Sequence, residues 1–274
     1  MNTNIWVIDA FTSVPFKGNP AAVCMLDAFP DDSVLKNIAM EINLAETAFL
    51  VPISPQEYHL RWFTPATEVL LCGHATLAAT HFLLESGIIK PQNTVAYHTL
   101  SGKLQARGLD SVIELDFPEL PGVAVTPHTA LDTLSVEIMA CERNRDNYLV
   151  EVEDYKTLLA CRPDYGALLA LDKQGVIITT ATGVPEGYDF ASRYFAPSAG
   201  VDEDPVTGSA HCFLAPYWAK KLNKSAFTAY QASKRGGILG VALEHGRVKI
   251  EGSAVTTLKG QLQIQIVEEK EKAA

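Results

Sequence analysis

Positive charge is in short supply in this chain. Its 274 residues carry 22 Lys and Arg against 32 Asp and Glu, a formal net charge of −10. A nucleic acid or an anionic membrane surface asks for a basic patch, so neither is an expected partner. Any anionic ligand has to be held locally, by helix ends and backbone N–H groups. Long apolar runs are also missing: none approaches the roughly 18 residues that cross a membrane. The opening residues, Met1-Asn2-Thr3-Asn4-Ile5-Trp6-Val7, hold neither a basic leader nor a small-residue cleavage site, and a cytoplasmic location is expected. Cysteine is sparse and odd in number. Cys24, Cys72, Cys141, Cys161 and Cys212 are scattered, which speaks against a disulfide framework and makes them small buried hydrophobes in expectation. Cys72, His74 and His81 lack the second Cys-x-x-Cys or His-x-x-x-His group that a structural zinc needs, so no metal is expected.

What the chain does have is a repeat. Arg61-Trp62-Phe63-Thr64-Pro65 leads through a loop to Gly73-His74-Ala75, and Arg193-Tyr194-Phe195-Ala196-Pro197 leads through a loop to Gly208-Ser209-Ala210. The offsets are 193 − 61 = 132 at the Arg and 208 − 73 = 135 at the Gly. Further on, Thr94-Val95-Ala96-Tyr97-His98 is echoed by Phe227-Thr228-Ala229-Tyr230-Gln231, at 230 − 97 = 133. Two copies at this distance imply two similar domains rather than a solenoid.

Apolar runs predict strands over 5–11, 21–26, 46–51 (stopped by Pro52), 58–63, 94–98, 103–107 and 112–117, then a second series over 147–152, 175–180 and 189–195. A first helix is expected from about Ser33 to Asn43. A second, over 74–86, is nearly free of charge, which places it inside a curved sheet. A third, over 209–222, contains Pro216, which should kink it or remove one hydrogen bond. The alternation at 262–266 reads as a half-buried strand, and 268–274 as a charged, solvated tail.

Three places carry candidate chemistry. The loop 200–209 sets Asp202, Glu203 and Asp204 before a helix whose first N–H groups lack partners, an end that attracts anions; Ser209 can cap it or donate to a ligand. No Lys follows Gly208, so this is no P-loop. His74 holds the matching place in the first copy, where the helix dipole disfavours its charged form and predicts a neutral ring. Glu46 stands where helix gives way to strand, among Leu44, Ala45, Ala48 and Phe49, a partly desolvated carboxylate suited to moving protons. Glutamates at such junctions more often face solvent, so the residues alone do not single it out.

Several motifs in order sharpen this. Asp9-Ala10-Phe11-Thr12, Gly18-Asn19-Pro20-Ala21-Ala22-Val23, Asn43-Leu44-Ala45-Glu46-Thr47-Ala48-Phe49, Phe63-Thr64-Pro65 with Gly73-His74-Ala75, and Asp204-Pro205-Val206-Thr207-Gly208-Ser209-Ala210 together resemble the phenazine-biosynthesis isomerase family, the PhzF-like proteins. That family shares the diaminopimelate-epimerase fold, and the likeness spans nearly the whole chain. It implies an α+β fold of two similar domains, each a rolled, mostly antiparallel sheet around a central helix, with the site in the cleft between them. The domains would be 1–118 and 119–274, with the strand 262–267 free to add to the first. It also implies Glu46 as the proton-transferring residue, with His74, Asp204 and Ser209 lining the cleft, and Gly73, Gly208 and Asn19 binding substrate. No cofactor or metal is implied, and a homodimer is. Diaminopimelate epimerases use two cysteines, one at each helix start. Cys72 stands at the first such place and Pro205 is read at the second, so a two-thiol epimerisation is not expected.

The expected function is a cofactor-free isomerase in which Glu46 shifts a proton within a small carboxylate-bearing substrate. A racemase or epimerase with non-thiol bases, Glu46 on one face and Asp204 or His74 on the other, is the enzymatic rival. A non-catalytic small-molecule-binding protein that keeps the cleft is the other.

Overall fold

The computed structural model describes residues 2–173 and 175–264. The tail expected over 268–274 lies outside them. In chain order the elements of the first half are β1 (Asn2–Ala10), β2 (Asn19–Met25), α1 (Asp32–Ile42), β3 (Glu46–Ser54), β4 (Glu57–Phe63), β5 (Glu68–Val69), α2 (Gly73–Glu85), β6 (Thr94–Thr99), β7 (Gly102–Leu109) and β8 (Val112–Pro118). They continue as β9 (Val123–Ala124), β10 (Ala140–Arg143), β11 (Asn147–Glu151), α3 (Tyr155–Ala160), α4 (Tyr165–Leu168), β12 (Gly175–Thr180), β13 (Phe190–Ala196), β14 (Val201–Asp204), α5 (His211–Leu222), β15 (Ala226–Gln231), β16 (Gly237–Glu244), β17 (Arg247–Gly252) and β18 (Ala254–Gln263).

The repeat in the sequence is a repeat in hydrogen bonding. In the first half β1–β2 is antiparallel, β2–β3 parallel, β3–β4 antiparallel, β4–β6 parallel, and β6–β7 and β7–β8 antiparallel. In the second half β10–β11, β11–β12, β12–β13, β13–β15, β15–β16 and β16–β17 follow the same senses in the same order. Even the register agrees. Glu57 pairs with Ala96 and Phe190 with Ala229, which are offsets of 190 − 57 = 133 and 229 − 96 = 133. The strand that trails from each half crosses to the other: β9 pairs with β10, and β18 pairs along β1 from Asn2↔Gln263 to Ala10↔Ala254. With β8 antiparallel to β17, the strands form one continuous sheet. The fold is α+β, a sheet rolled around a helix in each half.

The apolar sequence of α2 is surrounded as its composition demands: His74 to Ala79 are buried, and the helix packs on β1, β2, β3, β7 and β8. Its counterpart α5 packs on β16 and β17. Pro216 does not break α5. Its missing N–H releases the carbonyl of Cys212, and that carbonyl accepts from Leu120 N at 2.9 Å, docking the segment that joins the halves. Pro52 likewise does not stop β3, which runs on to Ser54. The parallel partner β2 ends its pairing at Leu50, so Pro52 has an open edge where no donor is missed.

The duplicated arginines have structural work. Arg61 donates to Glu68 through Nε at 2.7 Å and Nη2 at 2.6 Å, and Arg193 donates to Glu203 through the same atoms at 2.7 and 2.9 Å. Each guanidinium also lies over the Phe two residues on, Phe63 at 5.0 Å and Phe195 at 4.9 Å. These planar forks hold the loops that lead to Gly73 and Gly208. Arg193 additionally donates to the carbonyls of Leu158 and Cys161. Among the described residues no helix is long and apolar enough to cross a membrane.

Arg193 is the more enclosed fork, its side chain 7% exposed against 19% for Arg61. Arg193→Met, which strands Glu203 and two carbonyls, is expected to cost about 3 kcal/mol, and Arg61→Met less. Urea unfolding of the two variants checks the order.

Candidate active site

Gly73 and Gly208 meet backbone to backbone. A Cβ built on Gly73 would stand 3.0 Å from Gly208 Cα, and one on Gly208 would stand 3.2 Å from Gly73 Cα. A side chain at either place would crowd the facing backbone, which would have to give by a few tenths of an ångström. The helix that starts at Gly73 carries His74 in its first turn, and the halves close over it, leaving His74 3% exposed.

The polar groups reach this contact from the starts and ends of strands. Because β2 and β3 run parallel, with Ala21 opposite Glu46, their first residues Asn19 and Glu46 emerge at one end of the sheet. Asp204 ends β14. Asn19 is wholly buried, and its Nδ2 lies 2.8 Å from Asp204 Oδ1, 2.9 Å from Val206 O and 3.1 Å from His74 Nδ1. An amide nitrogen has two protons, so the oxygens of Asp204 and Val206 take them, and the His74 contact needs none. The loop ahead of Asn19 is tied to the second half by Arg235, which donates to Asp9 Oδ1 at 2.7 Å and to Gly18 O at 2.8 Å.

On its other side His74 faces Glu46. His74 Nε2 and Glu46 Oε2 are 3.1 Å apart, off the line of a hydrogen bond, and neither atom has another partner among the described residues. The structure thus brings Asn19, Glu46, His74, Asp204, Gly73 and Gly208 together. Ser209 stands beside them with less definition. The third helix begins at His211 rather than at 209; Gly208 to Ala210 form a turn, closed by His211 N to Gly208 O and Cys212 N to Ser209 O. Ser209 is half-buried and is not the cap of α5, and its hydroxyl makes no hydrogen bond to the described residues.

Electrostatics corrects one expectation. Burial alone would lower the pKa of His74, yet the neighbouring Cys72 sulfur and Glu46 carboxylate outweigh burial and helix end and raise it well above the ordinary histidine range. That direction favours the charged ring over the neutral one expected from the helix end. Asp204 is pushed up to about 6, chiefly by burial, with the His74 charge and the donors Thr207 and Asn19 acting against it. His211, also fully buried, is lowered to about 4 by desolvation and donates through Nδ1 to Thr207 O at 2.9 Å.

The contact of the two glycines also corrects the place read as Pro205. The residue that answers Cys72 is Thr207, each standing immediately before its Gly, with 207 − 72 = 135. Cys72 Sγ lies 3.6 Å from His74 Nδ1, and Thr207 donates its hydroxyl to Asp204 Oδ2. Thr207 and Gln231, which binds it, were missed by motif reading; the 135 offset was the available signal for Thr207. Strand register makes the same comparison for Glu46. Thr47 pairs with Phe63 and Val176 with Phe195, so Glu46 corresponds to Gly175. A Cβ on Gly175 would fall 2.4 Å from the Tyr194 hydroxyl. The second half has an aromatic ring where the first has a carboxylate.

Glu46, Cys72 and His74 offer donor atoms within 4.8 Å of one another. A metal must lie along one imidazole lone pair, and here Cys72 faces Nδ1 while Glu46 faces Nε2, so the three do not converge on one ion without rearrangement. A cavity of about 450 Å³ lies beyond Phe11, lined by Val14, Lys17, Tyr230, Arg235 and Ile238 among others; Glu46, His74 and Asp204 are not in its wall.

A family model described as phenazine biosynthesis-like protein matches residues 8–260. An uncharacterized isomerase of Halalkalibacterium halodurans is 50% identical over 264 residues, 96% of this chain and 99% of that protein. The crystal structure of a phenazine biosynthesis protein of the PhzF family from Enterococcus faecalis superposes with a TM-score of 0.89 at 39% identity, covering 96% of this chain and 100% of that one. A hydroxyproline epimerase from Agrobacterium vitis, solved with bound trans-4-hydroxy-L-proline, shares the fold at a TM-score of 0.66 and 15% identity, over 95% of this chain and 92% of that one.

All five cysteines are buried and unpaired, and burial raises each thiol. A thiol reagent at pH 8 is expected to find almost none in the folded protein and five after unfolding in guanidinium, Cys72 included. Rapid labelling of Cys72 in the native state, read by mass spectrometry, would contradict its enclosure.

Proposed function

Because this chain belongs to the phenazine biosynthesis-like, or PhzF, family, we propose that it is an isomerase that needs no cofactor and moves a proton within one small carboxylate-bearing substrate. The single observation that carries this is the facing pair Glu46 Oε2 and His74 Nε2, 3.1 Å apart, enclosed and without other partners among the described residues. Glu46 takes the proton from an activated carbon and returns it at another position of the same molecule. His74, facing that carboxylate with its pKa raised, steadies it between the two transfers and donates to the anion that forms. Asn19 joins this group to Asp204 on the opposite wall. The helix start at Gly73 and the turn at Gly208 hold the substrate carboxylate, in a chain whose net charge of −10 leaves little general attraction for anions.

The absence of a second carboxylate at Gly175 supports a reaction in which one base works on one face. A racemase of this fold would draw its second base from Asp204, whose oxygens accept from Asn19 and Thr207, or from His74, which lies against Glu46 itself.

Incubating small unsaturated and amino carboxylates with the enzyme in deuterium oxide tests the reading. A turned-over substrate should gain deuterium at a carbon, and Glu46→Gln should slow the exchange by about 10²- to 10⁴-fold. Cys72→Ala should leave the exchange within about threefold of wild type, since the thiol is buried behind His74. Undiminished exchange in Glu46→Gln would sink the mechanism.

A further inference from the structure

Asp204 is held by a chain of hydrogen bonds whose direction is fixed from one end. The backbone N–H of Thr207 donates to Gln231 Oε1 at 2.8 Å, and a backbone N–H can only donate, so the Gln231 amide has one orientation. Its Nε2 must then be what meets Asp204 O at 2.9 Å and Thr207 Oγ1 at 3.1 Å. Thr207 Oγ1 accepts from that amide, so its own single proton points onward, to Asp204 Oδ2. The other carboxylate oxygen accepts from Asn19 Nδ2. His211 closes the arrangement by donating to the Thr207 carbonyl. Gln231 and His211 are wholly buried and Thr207 is 8% exposed, so no water competes with these bonds.

We infer that Gln231, acting through Thr207, is a positioning residue that fixes Asp204 as a hydrogen-bond acceptor at Oδ2. The consequence is chemical. Burial favours the protonated carboxyl, and the two directed donors favour the ionised one, which keeps Asp204 able to change state near neutral pH. The other titratable groups that face it are His74, Glu46 and Tyr194, and none of them contacts Thr207 or Gln231 through a hydrogen bond among the described residues. Gln231 answers His98 of the first half, at 231 − 98 = 133, and only the second-half residue is enclosed in this way.

The test is a carboxylate titration of the full chain labelled with ¹³Cγ aspartate, the Asp204 signal being identified by its loss in Asp204→Asn. The wild-type midpoint is expected near 6. Thr207→Val removes a donor from the ionised carboxylate and should move the midpoint up by about one pH unit. Thr207→Ser should restore it. Gln231→Met, which frees the Thr207 hydroxyl to turn away, should move it in the same direction, and the double variant should move no further than Thr207→Val alone, because Gln231 acts through Thr207. If Gln231→Met does not fold, as judged by circular dichroism, Gln231→Asn takes its place with the same expectation. Unchanged midpoints in Thr207→Val and the Gln231 variant, or additive shifts in the double variant, would overturn the inference. The place of Asp204 in catalysis rests on the proposed isomerase reading, but the titration needs no turnover. Midpoints that respond as expected in a protein that exchanges no proton would count against that reading alone.

Discussion

Two α-carbons in contact set the terms for this molecule. Gly73 and Gly208 touch because neither has a side chain, and that contact lets one helix start and one turn face each other across the line between the halves. Much of the architecture serves to keep them there. The Arg61–Glu68 and Arg193–Glu203 forks hold the loops that deliver each glycine, and the Leu120–Cys212 bond released by Pro216 fixes the connection between halves. Beside the contact Asn19 and Asp204, 185 residues apart in sequence, share a hydrogen bond.

Within this near-symmetry the chemistry lies in the exceptions. Glu46 is answered by Gly175, Cys72 by Thr207, and His74 by Ser209. One half supplies a carboxylate beside an imidazole ring, and the other supplies a carboxyl restrained by hydroxyl and amide donors. The Tyr194 ring, filling the space that Gly175 leaves, commits the second half to packing where the first sets a carboxylate. A duplication by itself would give two equivalent faces, and here the faces have different acids with different surroundings.

The fold was legible in the sequence because its repeat is written in residues that do structural work. Arg61 and Arg193, the Phe after each, and the two glycines recur at near-constant offsets since each pair solves the same steric problem. The site was legible only in part. His74 and Asp204 stand next to the repeated glycines and could be found from them, whereas Glu46 and Asn19 needed the family likeness, being brought in by parallel strand pairing that no local pattern encodes. The helix end alone points to a neutral His74, whereas Glu46, brought in by β3, and Cys72, the N-cap, push its pKa the other way. Thr207 lay in a quoted motif yet was passed over for Pro205, and Gln231 is an ordinary strand residue until the chain closes around it. Pro52 misled, since a proline is tolerated at an open strand edge where no partner waits, whereas Pro216 removes one helix hydrogen bond as its position predicts.

The crossed strands β9 and β18 have a mechanical meaning. Each half's sheet is finished by a strand belonging to the other, so neither half has a complete set of hydrogen bonds when it stands alone. Melting one half strips an edge from its neighbour, and the two come apart as a single cooperative unit. Any breathing that admits a ligand to the enclosed glycine contact must therefore be elastic, a flexing of shared strands. The molecule behaves less like two jaws on a free hinge than like a spring clip cut from one strip.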